Sequence, residues 1–339
     1  MRGRTSLTSP DRGSLRRALL RWYERNRRDL PWRRDHDPYR IWVSEIMLQQ
    51  TRVAAVLDHY ARFIRRFPTL QSLAAARESS VLAVWSGLGY YHRARRMHQA
   101  AKVVVRERRG AFPRTTGDWL QLPGIGRYTA AAIASIAFSE PVAVVDGNVE
   151  RVLQRLLGEK LDREAAWSQA EALLDRKRPG DFNQAMMELG ATVCTPRAPQ
   201  CLLCPLNNCC VSRGAEAPSV GATRKSKELR YVLARNNGLV LLVRRATNDS
   251  LMAGMWELPT LSGGQLNGDA PLLRLRHSIT DTDYRVTVFA VAADHLQESA
   301  TDAKWFTVRQ CERLPLTGLA RKILRRIAFA SSPPSAVSK

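Results

Sequence analysis

Apolar residues recur at helical spacing through much of the chain. The stretches Ile41–Phe67 and Leu82–Arg108 show this period most clearly, and it is typical of amphipathic α-helices. Prolines interrupt the pattern, and each one restricts the residue before it to extended backbone. The residues that precede these prolines are Phe67, Phe112, Leu122 and Glu140. We therefore predict a mainly helical region from Ser14 to about Cys210.

The pattern changes after residue 211. Residues 212–228 are polar, small and basic, which is typical of a linker. Beyond them, short runs of β-branched and aromatic residues predict strands; these runs are Tyr231–Ala234, Leu239–Val243 and Tyr284–Ala290. We predict a final helix near Leu319–Ala330 and a frayed tail over residues 331–339. The chain then comprises a helical domain (1–211), a linker (212–228) and a smaller α+β domain (229–330).

The formal net charge of +22 indicates a polyanionic partner such as nucleic acid. No apolar run approaches the roughly 20 residues that span a bilayer, so we expect no membrane partner. Residues 1–28 are rich in arginine and serine, as in a mitochondrial transit peptide. Asp11 and Glu24 interrupt that composition, and Leu15 and Leu19 suit a packed helix. The N-terminal segment is therefore interpreted as part of the fold.

Five of the six cysteines lie between Cys194 and Cys210. A disulfide framework would spread pairs along the chain, so this clustering favours thiolates that hold a metal in a reducing compartment. Zinc sites usually show two close pairs, and here only Cys201 and Cys204 have that spacing. The spacing therefore favours an iron–sulfur cluster over zinc. It does not choose between Cys209 and Cys210 as the fourth ligand.

A glycine-rich turn lies at Leu122-Pro-Gly-Ile-Gly126, before a helix predicted at Tyr128–Phe138. Gly124 and Gly126 permit a tight turn, and the free N–H groups of the following helix start can bind a phosphate without reading sequence. An ordinary helix–helix turn is the alternative. In so basic a chain we interpret the pattern as a helix-hairpin-helix motif whose two glycines contact the DNA backbone.

Two acidic residues are candidates for chemistry. Asp146 stands in Asp146-Gly-Asn148 before a helix predicted at Val149–Leu157; it is either a plain helix cap or a buried carboxylate beside a reacting sugar. Glu45 stands among apolar neighbours. Burial would raise its pKa and suit it to general acid catalysis. The alternative is a glutamate in the first turn of a helix that faces water.

Two glycines stand next to two tyrosines in Gly87-Leu-Gly-Tyr-Tyr91. A rigid aromatic side chain on such a turn can act as a wedge between bases, and Tyr90 is the candidate. The alternative is a capped helix end with buried tyrosines.

These segments, in this order, resemble the MutY-type adenine DNA glycosylases of the helix-hairpin-helix, iron–sulfur superfamily. The likeness covers residues 14–211 densely and resumes in the second domain. The segments that carry it are Leu30-Pro-Trp-Arg33, Trp42-Val-Ser-Glu45, Met47-Leu-Gln-Gln-Thr51, Gly87-Leu-Gly-Tyr-Tyr91, Leu122-Pro-Gly-Ile-Gly126, Asp146-Gly-Asn148, Phe182-Asn183, the cysteine loop and Gly254-Met-Trp-Glu-Leu-Pro259.

The resemblance implies a monofunctional enzyme that flips out and excises adenine mispaired with 8-oxoguanine or guanine. Glu45 would protonate the adenine, and Asp146 would stabilise the cationic sugar, with Asn148 and Tyr128 positioning them. Endonuclease III-like enzymes carry a lysine at the position of Tyr128, and tyrosine cannot form their Schiff base. The rival interpretations are such a bifunctional glycosylase and lyase, or a DNA-binding protein without activity.

The resemblance also implies roles for further residues. It places in the adenine pocket Arg28, Leu30, Trp32, Gln184 and Met187, and around the opposite base Gln50, Thr51, Leu88 and Tyr90. It implies a structural [4Fe-4S] cluster on Cys194, Cys201, Cys204 and Cys210, with Cys209 as a bystander. We expect a monomeric enzyme of bacterial type, cytoplasmic and associated with the nucleoid.

The second domain resembles the Nudix-like domain with which such enzymes recognise 8-oxoguanine. It lacks the glutamate run of a true Nudix hydrolase, so we predict a binding module; a cap without a recognition role is the alternative. Family members commonly carry a Phe-Ser-His element, and the matching stretch here reads Ile279-Thr280-Asp281. Thr280 keeps a hydroxyl, whereas Asp281 supplies an acceptor. We therefore expect a weaker preference for 8-oxoguanine, although His277 could substitute.

Overall fold

The computed structural model describes residues 9–213, 225–246, 248–249, 252–261, 270–279, 282–292 and 302–330. The chain divides into two compact units. The first comprises residues 1–74 and 99–220, and the second comprises residues 75–98 and 221–339. The division after residue 220 falls within the predicted linker, and the difference from the predicted domains is that residues 75–98 group with the later part of the chain. Hydrogen bonds from Ser86 and Tyr91 to Leu316 are among the contacts that join these two segments.

Helices form most of the chain up to Thr192. In chain order they are α1 (Ser9–Asn26), α2 (Pro38–Leu48), α3 (Val53–Arg66), α4 (Leu70–Ala74), α5 (Glu78–Trp85), α6 (Tyr91–Glu107), α7 (Thr116–Leu120), α8 (Arg127–Phe138), α9 (Gly147–Leu157), α10 (Arg163–Leu173) and α11 (Pro179–Thr192). No helix among the described residues combines the length and the apolar character needed to cross a bilayer.

Each long periodic stretch of the sequence proves to be two helices. The first is interrupted at Gln50, whose backbone is left-handed with φ of 55°, so that α2 ends and α3 starts in a new direction. The second is interrupted over residues 86–90, where Gly87 and Gly89 also have positive φ. Left-handed backbone breaks the helical hydrogen-bond series. The apolar period of the sequence does not reveal such a break.

Helix α11 packs closely against two other helices of the first unit. A Cβ atom on Gly190 would lie 2.7 Å from the Cβ of Asn148 and 2.8 Å from its carbonyl oxygen, and one on Gly180 would lie 2.7 Å from the carbonyl oxygen of Ser135. Around these contacts, buried apolar side chains such as Leu153 and Leu189 form a core shared by α1, α9, α10 and α11. This packing places the last turn of α11 beside the start of α9.

The second unit contains a six-stranded sheet. Its strands are β1 (Lys225–Asn236), β2 (Leu239–Arg244), β3 (Trp256–Glu257), β4 (Leu273–Ile279), β5 (Thr282–Ala292) and β6 (Ala303–Thr307), followed by α12 (Val308–Arg313) and α13 (Gly318–Ala330). The strand order is β3-β2-β1-β5-β4, and β6 pairs with β2. Strands β1 and β5 are parallel, with Tyr231 opposite Val288. The remaining pairs are antiparallel.

The strand predictions are confirmed for β1, β2 and β5, and the final helix is confirmed as α13. Strand β1 begins at Lys225, so the expected linker is shorter than residues 212–228 by the four residues that pair with β5. The predictions missed β4, although its alternation of leucine and arginine over Leu273–Arg276 is a period-two signal. Leu275 of β4 and Ile323 of α13 lie in the buried core on one face of the sheet.

We predict that Gly190→Ala destabilises the first unit by about 1–3 kcal/mol, because the added methyl group must displace backbone and Cβ atoms of Asn148. Chemical denaturation with circular dichroism detection measures the change. Gly117→Ala in α7 is the control, since its Cβ would meet only the Thr115 hydroxyl at 4.0 Å. Equal midpoints for the two variants would show that the α9–α11 contact is not tight.

Candidate active site

A cavity of about 750 Å³ in the first unit collects side chains from distant parts of the sequence. The residues before α2, the helix α2 itself, the turn after it, the starts of α8 and α9 and the middle of α11 contribute to its wall. The predicted site residues that line it are Arg28, Leu30, Trp32, Glu45, Gln50, Thr51, Gly126, Tyr128, Asp146, Asn148, Gln184 and Met187. The fold therefore gathers the predicted catalytic and adenine-pocket residues.

Other predicted residues lie elsewhere. Gly124 has φ of 77° and lies in the turn before α8, outside the cavity wall. Leu88 and Tyr90 belong to the second unit, and the side chain of Leu88 is buried. Thr280 and Asp281 lie outside the described residues, so the expectations that concern them stay predictions.

Glu45 lies in the second half of α2 with 6% of its surface exposed. The alternative of a first-turn glutamate facing water is therefore wrong. The hydroxyl of Tyr128 donates a hydrogen bond of 2.8 Å to its Oε2. Burial raises the pKa of Glu45 to about 7, with a smaller contribution in the same direction from Asp146 and opposing ones from Tyr128 and Arg33. Near neutral pH this carboxyl can hold a proton and release it.

Tyr128 lies in the first turn of α8. Burial raises the pKa of its phenol well above 10, and the nearby carboxyl groups of Glu45 and Asp146 add to the effect. The phenol thus keeps its proton and stays a hydrogen-bond donor to Glu45. Its oxygen also lies 3.4 Å from the sulfur of Met187. A buried neutral phenol can orient a carboxyl group but supplies no amine for attack on a sugar.

Asp146 is both a helix cap and a cavity residue. Its Oδ1 accepts hydrogen bonds from the backbone N–H groups of Asn148 (2.9 Å) and Val149 (2.8 Å). Its Oδ2 accepts one of 2.9 Å from Nδ2 of Asn148. Capping the start of α9 fixes the carboxylate on the cavity wall. The helix cap is therefore confirmed, whereas the carboxylate is half-buried and its role beside a reacting sugar stays a prediction.

The segment before Asp146 is held by Asn183 of α11, which is buried. Its Oδ1 accepts from the backbone N–H of Val144 at 3.1 Å. Its Nδ2 donates to the hydroxyl of Ser135 and to the carbonyl of Val142, both at 2.9 Å. These bonds join α8, α11 and the extended segment that leads to the carboxylate.

Arg151 of α9 connects Asn148 to the cysteine loop, a connection that the sequence analysis missed. It donates to Oδ1 of Asn148 at 2.8 Å, to the carbonyl of Gly190 at 2.7 Å and to the carbonyl of Cys194 at 2.9 Å. Asn148, which donates to Asp146, is thus linked through Arg151 to the start of the cysteine loop.

The sequence analysis also missed a buried ion-pair network in the cavity wall. Glu188 of α11 has a side chain with no exposed surface, and it pairs with Arg28 at 2.7 Å and Arg33 at 2.9 Å. Burial alone would raise the pKa of Glu188, but the hydrogen bonds and charges of the two guanidinium groups outweigh burial and lower it. Because these residues are far apart in sequence, the only available signal was an acid among the apolar residues of Met186–Leu189.

The predicted cluster ligands lie in the loop after α11. Burial raises the pKa of the Cys204 thiol to about 11, and Cys194, Cys210 and Cys201 are near enough to add to the effect. Arg155 lies 3.4 Å from the sulfur of Cys194. Four thiols in one loop are a donor set that suits iron–sulfur or zinc. In the described part of the chain, however, no group of three or more potential metal ligands lies close enough together to hold an ion.

Comparisons with known proteins identify relatives of this chain. The sequence model for the HhH-GPD superfamily of base excision DNA repair proteins matches residues 43–176. The adenine DNA glycosylase of Mus musculus is 36% identical over 92% of this chain and 77% of that protein. The chain belongs to the adenine DNA glycosylase family. The Rattus norvegicus member is 41% identical over 78% of this chain, and the Homo sapiens member is 50% identical over 59%.

The matched region spans 64% of the rat protein and 39% of the human protein, so part of those relatives has no counterpart in the match. Among solved structures, a thermostable thymine-DNA glycosylase superposes with a TM-score of 0.56 at 32% identity, covering 60% of this chain and 96% of that one. An endonuclease III–DNA complex superposes with a TM-score of 0.52 at 23% identity, covering 61% of this chain and 97% of that one. This second likeness shows the fold alone.

We predict a pH-dependent stability difference between the protein and its Glu45→Gln variant. Burial raises the folded-state pKa of Glu45 from 4.5 to about 7. The free energy that protonated Glu45 contributes to folding is therefore fully present below pH 4.5 and is lost as the pH rises towards 7. Between pH 4.5 and pH 7 the wild-type protein should lose roughly 3 kcal/mol of folding free energy relative to the variant.

Denaturation midpoints at several pH values measure this difference. Glu159→Gln is the control, because Glu159 is exposed and its replacement should leave the pH profile unchanged. A parallel profile for wild type and Glu45→Gln would mean that Glu45 titrates like an ordinary solvated carboxyl.

Proposed function

We propose that this protein is a monofunctional DNA glycosylase that removes adenine from mispairs in base excision repair. The observation that carries the proposal is the meeting of Glu45, Tyr128 and Asp146 in one cavity. Two carboxyl groups that flank a glycosidic bond are the general arrangement for its hydrolysis. The family relationship supports adenine as the base.

The reaction requires an adenine nucleotide that has rotated out of the duplex into the cavity, which is easiest for a mispaired base. The Glu45 carboxyl donates its proton to a ring nitrogen of the adenine. The glycosidic bond then breaks, its electron pair stays with the adenine, and the sugar becomes an oxocarbenium-like cation. The Asp146 carboxylate stabilises this cation. Water adds to the anomeric carbon and releases a proton.

The remaining cavity residues orient these groups. Asn148 fixes Oδ2 of Asp146, and Tyr128 fixes Oε2 of Glu45. The ion pairs of Glu188 with Arg28 and Arg33 form a rigid part of the cavity wall beside Met187. Such preorganised groups stabilise the developing charge without rearranging during the reaction.

DNA backbone binding is assigned to the turn before α8. Gly126 is the cap residue of α8 and has no side chain to accept from the first N–H groups of the helix. These N–H groups and the positive end of the helix dipole suit a phosphate. The excess of basic residues supports binding through the remaining backbone.

We also propose that Cys194, Cys201, Cys204 and Cys210 hold a [4Fe-4S] cluster. The cluster would brace the loop that is hydrogen-bonded to Arg151 and Arg155 of α9. Base excision is hydrolytic and needs no electron, so these cysteines act on the scaffold. Cys209, whose thiol donates to the carbonyl of Leu206 at 3.3 Å, is a bystander.

The sheet of the second unit is proposed as a Nudix-like domain that recognises the base opposite the adenine. The substrates would be A:8-oxoguanine and A:G mispairs, bound by a monomer in the cytoplasm. The sequence Ile279-Thr280-Asp281 replaces the common Phe-Ser-His, which supports a weaker discrimination between the two mispairs. Matched rates on both duplexes measure it.

We predict that the purified protein excises adenine from these duplexes and that Glu45→Gln lowers the single-turnover rate by about a hundredfold or more, since it removes the general acid. DNA affinity should change little. The wild-type rate should fall as the pH rises through about 7, because Glu45 must be protonated to act. Gel analysis with and without alkali separates excision from strand cleavage. Efficient nicking without alkali would contradict a monofunctional enzyme.

We predict that anaerobically purified protein contains about four iron atoms and four sulfides per chain. Cys204→Ser should lower both, whereas the matched control Cys209→Ser should retain them. Metal analysis and visible absorption measure the content. One zinc ion per chain without sulfide would contradict the [4Fe-4S] cluster and indicate a zinc site instead.

A further inference from the structure

The turn between α5 and α6 has an unusual backbone. Gly87, Gly89 and Tyr90 have φ values of 107°, 72° and 48°. Two of these are glycines, but Tyr90 carries a bulky side chain in a left-handed conformation that L-residues disfavour. Such a conformation persists only where the surrounding structure fixes it. The contacts that fix this turn therefore determine where the Tyr90 ring points.

On one side the turn is held by its own neighbours in sequence. The indole N–H of Trp85 donates to the carbonyl of Gly89 at 3.1 Å. The guanidinium group of Arg93 lies over both aromatic rings, 5.6 Å from the centroid of Trp85 and 5.0 Å from that of Tyr90. Arg93 is buried, so this stacking is protected from water and orients the Tyr90 ring.

On the other side the turn is held by residues more than 200 positions away. The hydroxyl of Ser86 donates to the carbonyl of Leu316 at 2.7 Å, and the hydroxyl of Tyr91 donates to the same oxygen at 3.2 Å. The backbone N–H of Gly87 in turn donates to the Tyr91 hydroxyl at 3.3 Å. Nε of Arg321 donates to the Ser86 hydroxyl at 2.8 Å.

The distant partners are themselves fixed to the sheet. The backbone N–H of Thr317 donates to the carbonyl of Trp256, and the N–H of Trp256 donates to the carbonyl of Pro315, both at 2.9 Å. Arg321 also donates to the carbonyl of Leu314 at 3.3 Å. The segment over residues 314–317 is thus attached to β3 on one side and to the turn on the other.

We propose that residues 314–321 act as a brace for the Tyr90 turn, with Arg321 and Ser86 as positioning residues for the insertion of Tyr90 into DNA. The second unit then contributes to base extrusion by holding the Tyr90 turn. This contribution is separate from any direct contact of the sheet with the opposite base. This inference rests on the proposed function. Ordinary packing between a turn and a neighbouring helix is the competing explanation, and it would stabilise the fold without acting through Tyr90.

The test is a double-mutant cycle on single-turnover adenine excision. Arg321→Met keeps the length of the side chain and removes its donors to Ser86 and Leu314; we expect a rate about threefold to tenfold lower, the range for loss of the one hydrogen bond that reaches the turn. Ser86→Ala removes the acceptor of that bond and also the donor to Leu316, and should lower the rate at least as much. On a Tyr90→Ala background both substitutions should have almost no further effect. Arg325→Met, exposed on α13, is the charge-matched control and should leave the rate unchanged.

A second readout is independent of excision. In the Glu45→Gln background, a 2-aminopurine placed next to the mispaired adenine should brighten on binding as the stack opens. Arg321→Met should reduce that increase, and Arg325→Met should not. Additive effects in the cycle, an unaltered fluorescence increase, or a Tyr90→Ala variant with normal excision would each overturn the brace. Absence of adenine excision by the wild-type protein would instead overturn the proposed function, and the fluorescence arm would still decide on the brace.

Discussion

The chemistry proposed for this protein depends on the burial of one carboxyl group. Glu45 faces into the fold from α2, and desolvation raises its pKa to about 7. An exposed glutamate would already have lost its proton at neutral pH. The Tyr128 hydroxyl then determines how the carboxyl is oriented. Glu45 and Asp146 then lie on the wall of one cavity.

The second carboxylate is positioned by a different device. Asp146 caps α9, so the first N–H groups of that helix hold it in place. Asn183 fixes the strand-like segment before it, and Arg151 fixes Asn148 behind it. Because Arg151 also donates to the carbonyl of Cys194, the cysteine loop is joined through Asn148 to the carboxylate of Asp146. A metal cluster would therefore contribute to catalysis through structure without entering the reaction.

The second unit contains both the Tyr90 turn and the residues that hold it. The Tyr90 turn has a backbone that an isolated peptide would avoid, and its hydrogen bonds lead to Leu316 and Arg321. Free energy from packing α13 on the sheet is thus available to maintain a strained turn. Recognition of the opposite base and control of the wedge would then belong to the same unit.

The sequence by itself determined the short motifs and the helical or strand character of most segments. The apolar period gave the helices around Glu45, and glycine and aspartate marked the turns and caps at Gly126 and Asp146, because these effects act within a few residues. Tertiary structure alone decided the pairing of Glu188 with Arg28 and Arg33, the bond from Arg151 to the cysteine loop, and the grouping of residues 75–98 with the sheet. Such contacts join residues far apart in sequence, and their free energy depends on burial and distance that only the folded chain creates.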